Sequence, residues 1–363
     1  MTVIRNILLF VILLSTIVSL HELGHLIAAK IFNVYCKEYS IGMGPKICSF
    51  KGKETEYSLR ALPLGGFVAM AGDTDNSLET QVDTTDLPPE RTLTGIAKWK
   101  RVIIMMAGIF MNIMLAIVIY SLVILGNGAY ANSTKPVVTQ IVADSPAEKA
   151  GLKVDDVVVG IGFDNGLKIK PSTYLELTNF LSAYDGNGSW TVSVERNGEI
   201  IDIKVEPAYN EEQERYMMGV GFSDKAIEYV ETNIFNCWKY GFEYTIFIVK
   251  VIWSSFISLF QGKNLDSLSG PVGIYTTVSQ SADLGFSNYM QLMAIISVNV
   301  GIVNALPLPI FDGGRVLLLL IEMIIGKPLS EKTQNLVMNI SMGLLLILFV
   351  FVMYNDISRL IGG

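Results

Sequence analysis

The chain has 363 residues, of which 51% are hydrophobic and only 17% are charged, and its mean hydropathy is positive. This composition excludes an ordinary soluble protein of the same length and predicts a membrane protein. The net charge is −7 and the sequence has no block of basic residues, so nucleic-acid binding is not expected.

The first apolar run extends from Val3 to Phe32, is long enough to span a bilayer, and contains the letters HELGH. On a helix, His21 and His25 lie about 40° apart and project from one face, with Glu22 beside them. In zinc hydrolases with this pattern, the imidazoles bind the metal and the glutamate takes a proton from a water whose pKa the zinc lowers to about 7. The pattern therefore predicts His21 and His25 as zinc ligands and Glu22 as the catalytic base.

A purely structural interpretation of the same motif is that the histidines pair with Glu22 or extend towards the membrane boundary. Two observations favour the metal site. An ionisable residue inside a spanning segment costs about 3 kcal/mol and normally has a functional reason. The chain has only these two histidines, and a random scatter would not place both of them four residues apart around a glutamate.

The segment Thr55–Gly72 begins with alternating polar and apolar residues and ends in glycines next to hydrophobic residues. This pattern predicts a pair of strands that dips into the inner leaflet, with a plain cytoplasmic hairpin as the alternative. A strand edge offers hydrogen bonds to a substrate whose own helix has been unwound. The candidate substrate-binding residues in this segment are Tyr57, Ser58, Leu59 and Arg60.

A long polar segment, Gly126–Glu231, follows the second apolar run, Val102–Leu125. It has 17 Asp and Glu residues against 9 Lys and Arg, which is typical of a domain outside the cytoplasm. Cations cluster instead in the loops beside the apolar runs, which predicts that these loops are cytoplasmic and that both termini are outside. The clustered cations are Lys30, Lys37, Lys98, Lys100, Arg101, Lys327 and Lys332.

Within the polar segment, Lys135–Ala208 shows the order strand, turn, short helix, strand and hairpin. The helix is predicted to begin at Ser145, and the hairpin to turn at Asn197 and Gly198. This pattern resembles a PDZ domain, which accepts an extended peptide along a strand or serves as a passive shield. The acidic stretch that follows, Tyr209–Phe222, is interpreted as a solvated linker that leads towards a β element close to the membrane.

The segment Phe235–Phe260 carries Lys239, Glu243 and Lys250 at roughly helical spacing, so one face is charged and the other holds Phe, Ile and Trp. We interpret it as an amphipathic helix on the membrane surface. A helix that crossed the membrane here would reverse the direction of the next apolar run.

The third apolar run, Tyr289–Ile325, contains Asp312 next to two prolines and two glycines, which predict an interruption of the helix. Catalytic zinc needs three protein ligands, and because the chain has no third histidine, Asp312 is the candidate. One alternative is that Asp312 only caps the helix that resumes at Gly313. The thiolates of Cys36 and Cys48 are poorer candidates, because both lie beyond the first span.

Two asparagines lie near the predicted site. Asn304 is one turn before the break and is predicted to hold an unwound substrate backbone with its amide. Asn112 is a weaker candidate for the same role, and a hydrogen bond between helices is its favoured alternative. A last apolar run, Leu336–Tyr354, brings the number of predicted spans to four.

The predicted organisation is a membrane core in two parts. Residues 1–126 form the first part, 127–231 the outer domain and its linker, 232–284 a membrane-surface region, and 285–363 the second part. The fold class is a multi-pass α-helical membrane protein with about four transmembrane helices. It has an inserted extracytoplasmic PDZ-like α+β domain and a membrane-associated β-hairpin on the cytoplasmic side.

Several motifs together resemble the site-2 protease family of intramembrane zinc metalloproteases, and in particular its bacterial sigma-factor regulators with a single PDZ-like module. The motifs are HELGH, AGIFMN from Ala107 to Asn112, LSGPVGIY from Leu268 to Tyr275 and NALPLPIFDGG from Asn304 to Gly314. The family commonly has leucine before the aspartate, where this chain has Phe311.

The resemblance implies an endopeptidase that cuts single-span membrane proteins, such as anti-sigma factors, after another protease has trimmed them, and also remnant signal peptides. It implies Zn²⁺ as the cofactor, contact with membrane lipid, a β-loop that presents the substrate as a strand, and a bacterial inner or plasma membrane location with the active site towards the cytoplasm. In this interpretation, the PDZ-like insert excludes substrates with bulky outer domains. The alternative function is a non-catalytic membrane docking or metal-handling protein whose working part is the PDZ-like module.

Overall fold

The structure of the protein is a computed structural model. It describes residues 2–73, 82–132, 136–164, 168–171, 177, 181, 188–210, 215–222, 228–260 and 270–362. The chain forms two compact units, which are described separately. One unit contains Met1–Val123, Phe235–Trp253 and Leu265–Gly363, and the other contains Ile124–Ile234 and Ser254–Asn264.

Long apolar helices make up most of the first unit. Within the described residues, four helices are long and apolar enough to cross a membrane, by length and composition: Val3–Ile31, Lys98–Asn127, Phe286–Asn304 and Lys332–Ser358. This finding confirms a multi-pass helical membrane protein. Among the described residues of both units, the α-helices are α1 Thr2–Ile31, α2 Lys98–Asn127, α3 Pro146–Ala150, α4 Cys237–Phe260, α5 Pro271–Asp283, α6 Phe286–Asn304, α7 Asp312–Ile325 and α8 Glu331–Gly362.

The third predicted run is interrupted, as its prolines and glycines indicated. Helix α6 ends at Asn304 and α7 begins at Asp312. Pro307 and Pro309, in the connection, lack the N–H that a continuous helix needs. A side chain at Gly314 would overlap the backbone of the connection, so the chain folds closely onto the first turn of α7.

The β region between α1 and α2 consists of two long, bent strands, β1 Cys36–Lys51 and β2 Glu56–Met70. Gly42 in β1 and Gly65 in β2 have φ angles of 86° and 88°, which favour glycine and allow sharp bends. Each strand therefore contributes two segments to one sheet. The segments lie side by side in the order 46–51, 56–60, 36–41 and 66–70.

This arrangement corrects the prediction for Thr55–Gly72. The segment was expected to form a strand pair by itself, but its two halves do not pair with each other. Residues 36–41 of β1 lie between them. The Tyr39 hydroxyl donates a hydrogen bond to the carbonyl of Ser19 in α1 (2.8 Å), which attaches the sheet to the helix that carries the histidines.

The second unit is built mainly from short strands. The strands are β3 Ala129–Asn132, β4 Val138–Ile141, β5 Val157–Phe163, β6 Lys168–Ile169, β7 Trp190–Arg196, β8 Glu199–Val205, β9 Ala208–Asn210, β10 Arg215–Met217, β11 Val220–Phe222 and β12 Glu228–Glu231. β6, β5, β7 and β8 form one sheet in that order, while β11 pairs with β4 and β12 with β3. Together with α3, these strands confirm an α+β insert.

Two local predictions for the insert are confirmed. Helix α3 follows Ser145, whose hydroxyl accepts a hydrogen bond from the N–H of Glu148 (3.3 Å), as an N-cap does. β7 and β8 form a hairpin. Its turn residues, Asn197 and Gly198, have φ angles of 53° and 84°, which a two-residue hairpin turn of type I′ requires.

The described parts of Tyr209–Phe222 form paired strands, which the prediction of a solvated linker did not include. Its last residues form β11, which pairs with β4, and β10 pairs with β9. These short pairings are made by backbone groups, so the charged composition gave no sign of them. Residues 211–214 lie outside the described residues.

A buried ion pair stabilises the insert. The Asp156 side chain is 1% exposed and accepts hydrogen bonds from the guanidinium of Arg196 at 2.6 and 2.7 Å and from the N–H of Lys153 at 2.8 Å. Burial by itself would raise the pKa of Asp156. The guanidinium and the backbone N–H outweigh burial and hold this pKa below its ordinary value.

We expect Arg196→Met to destabilise the insert by about 3 kcal/mol, because the Asp156 carboxylate is then buried without its cation. Hydrogen–deuterium exchange of β7 and β8 measures the local free energy of unfolding. The difference from wild type should vanish as the pH falls through the lowered folded-state pKa of Asp156 in wild type. It should be complete only at pH values well above the ordinary carboxyl pKa of about 4, because burial without the cation raises the pKa of Asp156 in the variant.

The control for this experiment is Lys204→Met, which removes an exposed cation from β8 of the same sheet. It should change the free energy of unfolding by less than about 0.5 kcal/mol. An equal loss in both variants, or a loss in the arginine variant that does not depend on pH, would contradict the role given to the buried pair.

Candidate metal centre

The two histidines lie in the last third of α1, where local helix geometry fixes their relation. Four residues apart, both side chains project from the same face, and each residue is only 7% exposed. Their Nε2 atoms are 3.2 Å apart. The two histidines are therefore buried, whereas Glu22, which lies between them in sequence, is partly exposed.

Asp312 completes the cluster from a distant part of the chain. It is the first residue of α7, and its Oδ2 lies 3.1 Å from Nε2 of His21 and 3.4 Å from Nε2 of His25. In a tetrahedral zinc site with bonds of about 2.0–2.1 Å, ligand atoms lie about 3.3–3.4 Å apart. Both the donor set of two imidazoles and one carboxylate and its spacing therefore fit zinc.

Helix α2 forms the wall behind the histidines. Nδ1 of His25 donates a hydrogen bond to the carbonyl of Ile104 (2.8 Å), which directs its Nε2 towards the cluster. One turn further on, a Cβ at Gly108 would lie 2.5 Å from Nε2 of His25 and 2.7 Å from Cε1 of His21. After another turn, the Asn112 amide lies 3.3 Å from Nδ1 of His21. The stripe at positions 104, 108 and 112 thus contacts both imidazoles.

A cavity of about 450 Å³ opens in front of the cluster. Its lining includes Glu22, Asn304 and Arg315, together with residues of the last segment of β2, Gly66–Met70. A Cβ at Gly66 would lie 3.5 Å from Cγ of Glu22, so this segment passes directly beside the glutamate. Within the described residues, the segment pairs with another strand only on the side of residues 36–41. Its other edge is therefore available for hydrogen bonds.

Comparison with known proteins identifies the family. The model of peptidase family M50 matches residues 9–348. The chain belongs to peptidase family M50. It is 34% identical to a putative zinc metalloprotease of Clostridium acetobutylicum, over 97% of each chain. It is also 32% identical to the regulator of sigma-W protease RasP of Bacillus subtilis, over 98% of this chain and 99% of that protein.

A third relative in the family is a putative zinc metalloprotease of Fusobacterium nucleatum, 30% identical over 97% of this chain and 98% of that protein. The M50 match covers both the H-E-x-x-H segment and Asp312. Together with the cluster of His21, His25 and Asp312, it confirms the predicted class, a zinc metalloprotease. The alternative of a non-catalytic docking protein is therefore not retained.

The structure brings most of the predicted site residues of this M50 peptidase to one place. His21, His25 and Asp312 meet, and Glu22 and Asn304 line the adjacent cavity. Asn112 has no exposed surface and contacts His21, an arrangement closer to the interhelical hydrogen bond that was its alternative.

The residues predicted to bind substrate, Tyr57–Arg60, lie in an inner segment of the sheet and not at the edge beside Glu22. Tyr57, Ser58 and Leu59 pair with residues 39–41 on one side and 48–50 on the other, so neither edge is open. The hydroxyl of Ser58 and the guanidinium of Arg60 both donate to Glu38, at 2.6 and 2.9 Å. These four residues therefore hold the sheet together, while the open edge belongs to Gly66–Met70.

Sequence reasoning missed the contributions of Ile104, Gly108 and Gly66–Met70 to the site. The spacing of Gly108 and Asn112 in the AGIFMN motif was a usable signal, because a small and a polar residue one turn apart favour close helix packing. The carbonyl of Ile104 had no signal, since any residue supplies one.

Replacing Gly108 by Ala is expected to weaken zinc binding at least about tenfold, because the new methyl group overlaps both imidazoles and forces the ligands apart. Competition with a chromophoric chelator measures the affinity. The matched control is Gly126→Ala in the same helix, where a Cβ has no neighbour within 4 Å. Equal zinc affinity in the two variants would show that the close approach of α2 has no effect on the site.

Proposed function

We propose that this M50 peptidase is an intramembrane endopeptidase whose zinc is held by His21, His25 and Asp312. One observation carries the proposal. Two of the three donors lie on α1, which is long and apolar enough to cross a membrane, and the third, Asp312, follows shortly after α6, another such helix. Ionisable groups inside a membrane cost about 3 kcal/mol each and normally have a functional reason.

The cavity in front of the cluster supports a hydrolytic role for Glu22. When zinc is bound, it polarises the peptide carbonyl and lowers the pKa of water in the site. The Glu22 carboxylate is within the cavity and is not needed as a ligand, so it is free to take a proton from the attacking water. Once protonated, it gives that proton to the nitrogen of the leaving amine.

The open edge of β2 supports a mode of substrate binding. Peptide bonds in a transmembrane helix are already hydrogen-bonded and are shielded by side chains. A substrate segment that unwinds and pairs with Gly66–Met70 replaces those hydrogen bonds with strand hydrogen bonds. Because this segment passes beside Glu22, the added strand comes close to both the base and the metal ligands. We therefore assign strand recognition to Gly66–Met70 and not to Tyr57–Arg60.

The charge pattern and the relatives support a cellular role. Cationic loops beside the spans favour a cytoplasmic side for the metal cluster and an outer side for the insert, which we regard as PDZ-like. One relative carries the name regulator of sigma-W protease. We therefore propose single-span membrane proteins as substrates, namely anti-sigma factors trimmed by another protease, and remnant signal peptides. The location is a bacterial plasma membrane.

Asn304→Ala is expected to lower kcat/KM about 5- to 10-fold, the effect of one hydrogen bond to the substrate backbone, while zinc content stays unchanged. Asn304 is the last residue of α6 and lines the cavity. The control is Asn288→Ala in the first turn of α6, where the amide donates only to the carbonyl of Leu284 among described residues. Equal kcat/KM values in the two variants would remove Asn304 from substrate binding.

The decisive test of the proposed function is cleavage in a bilayer. Purified protein is reconstituted into vesicles with a single-span substrate, and the products are identified by mass spectrometry. We expect cleavage within the apolar stretch of the substrate, and faster cleavage when a Gly-Pro pair in that stretch lowers the energy of unwinding. Cleavage only outside the apolar stretch would overturn the assignment as an intramembrane protease.

A further inference from the structure

The two histidines differ in what holds their second ring nitrogen. Nδ1 of His25 faces the carbonyl of Ile104 at 2.8 Å. Since a carbonyl oxygen only accepts, Nδ1 of His25 carries the hydrogen and its Nε2 offers a lone pair to a metal. Nδ1 of His21 faces an amide nitrogen instead, Nδ2 of Asn112, at 3.3 Å.

Asn112 is held in place by its neighbours. It is completely buried, and its backbone carbonyl accepts a hydrogen bond from the hydroxyl of Ser297 in α6 (2.8 Å). A Cβ at Gly301, one turn further along α6, would lie 3.4 Å from Cβ of Asn112. The amide therefore has little freedom to move away from His21, although it is able to turn about its last side-chain bond.

The amide oxygen of Asn112 is a buried hydrogen-bond acceptor. Its Oδ1 is buried and has no hydrogen-bond partner among the described residues. A buried polar atom without a partner is unfavourable by about 1–3 kcal/mol. A rotation of the amide by 180° exchanges Oδ1 and Nδ2 without changing the shape of the side chain. The oxygen then faces Nδ1 of His21, and Nδ2 takes the position without a partner, so the rotation is favourable only when Nδ1 of His21 carries the hydrogen.

We propose that Asn112 is a positioning residue for the metal centre, whose Oδ1 accepts a hydrogen bond from Nδ1–H of His21 when zinc is bound. His21 binds zinc through Nε2 only as a neutral ring with its hydrogen on Nδ1, and that hydrogen needs an acceptor. The turned amide supplies it, as Ile104 does for His25. The inference rests on the proposed ligand role of His21 and on nothing about the substrate.

A role of Asn112 as hydrogen-bond acceptor and a role in helix packing predict opposite effects of two substitutions. If Asn112 only fills space between the helices, Asn112→Leu should be tolerated better than Asn112→Asp, because an aspartate places a charge in an apolar environment. If Asn112 is the acceptor for His21, the order is reversed. Aspartate retains an acceptor oxygen of the same reach, and leucine has none.

The experiment measures Zn²⁺ affinity of the purified full-length protein in detergent by competition with a chromophoric chelator. All variants are made in the Glu22→Gln background, so that no activity is involved. We expect Asn112→Leu to weaken zinc binding about 10- to 100-fold, the usual effect of losing a partner behind a metal ligand. Asn112→Asp should remain within about threefold of the parent or bind more tightly.

The control is Ser297→Ala, which removes the hydrogen bond to the Asn112 backbone and leaves the amide intact. It should lower zinc affinity by less than about threefold, because the packing against Gly301 still holds Asn112 in place. Unchanged affinity in Asn112→Leu, weaker binding in Asn112→Asp than in Asn112→Leu, or an equal loss in Ser297→Ala would each overturn the proposal.

One further measurement and one further variant keep the result interpretable. Thermal unfolding of the metal-free proteins shows whether a variant is folded, and if Asn112→Leu is not, Asn112→Ala takes its place in the comparison with Asn112→Asp. If the parent itself binds no zinc, the ligand assignment of the proposed function fails. If the parent binds zinc and the leucine and alanine variants bind it as tightly as the parent does, only the role of Asn112 fails.

Discussion

Glu22→Gln is expected to lower the rate of peptide cleavage about 10²- to 10⁴-fold, the usual contribution of a general acid–base group. The glutamine has the same shape, but its amide does not take up a proton from water. Zinc content should stay near one ion per chain, because Glu22 lines the cavity and lies outside the cluster formed by His21, His25 and Asp312. The change therefore separates proton transfer from metal binding.

Cleavage of a single-span substrate and metal content by mass spectrometry are measured on the same preparation. The control is Glu54→Gln, which removes an exposed carboxylate paired with Arg91 outside the cavity. That variant should cleave at the rate of wild type. Cleavage by Glu22→Gln within threefold of wild type would exclude Glu22 as the base, and loss of its zinc would instead indicate a ligand role.

The geometry of His21, Glu22 and His25 was predictable because it is local. A helix fixes the relation of residues four apart, whatever surrounds it. The approach of Asp312 is a long-range contact, yet the sequence still indicated it. Prolines and glycines in an apolar run leave backbone groups that a membrane tolerates only beside a cavity, and a carboxylate at that break had few other roles.

The β region shows where sequence patterns reach their limit. The alternation in Thr55–Gly72 correctly indicated extended chain, but not that residues 36–41 would lie between its two halves. Alternation reports on which faces are buried, whereas strand order depends on contacts with distant segments. For the same reason alternation does not indicate which strand lies at an edge: Tyr57–Leu59 pair on both sides, whereas Gly66–Met70 pair on one side among the described residues.

Composition misled the interpretation of Tyr209–Phe222. Its glutamates suggested a solvated connector, but β11 pairs with β4 through backbone groups. Gly219, just before β11, has a φ of 77° and accepts a hydrogen bond from the N–H of Val142 (2.9 Å). A glycine at a tight turn followed by Val, Gly and Phe was the signal that the charge obscured. The insert was therefore predictable in its helix and hairpin, and not at its edges.

The prediction of a helix at Phe235–Phe260 is confirmed, because α4 covers Cys237–Phe260. A side chain at Gly241 would overlap the hydroxyl of Ser121 in α2, so the two helices touch closely at that point. The location of α4 on the membrane surface stays a prediction. Helix α5, Pro271–Asp283, was not predicted as a separate element.

Asp312→Asn is expected to weaken zinc binding more than about 100-fold, beyond the effect of losing a partner behind a ligand. An amide oxygen carries no charge and is a poor zinc ligand, so two imidazoles remain for a cation that requires three protein donors. The control is Asp356→Asn, which neutralises another buried carboxylate, one that accepts hydrogen bonds from the N–H groups of Gly270 and Gly273. That variant should keep its zinc.

The choice of asparagine also separates the two roles considered for Asp312. Asparagine has the shape of aspartate, and the N-cap of α7 is Phe311 and not residue 312, so α7 should still begin at position 312 in the variant. If Asp312 only stabilised the start of α7, zinc affinity measured by chelator competition would stay at the wild-type value. If its carboxylate is the third ligand, the variant loses zinc but stays folded. Its unfolding temperature without metal should then be close to that of metal-free wild type. Asp312→Glu should fall between the two, since the donor is retained but the longer side chain moves it away from the imidazoles, which lie 3.1 and 3.4 Å from the present oxygen.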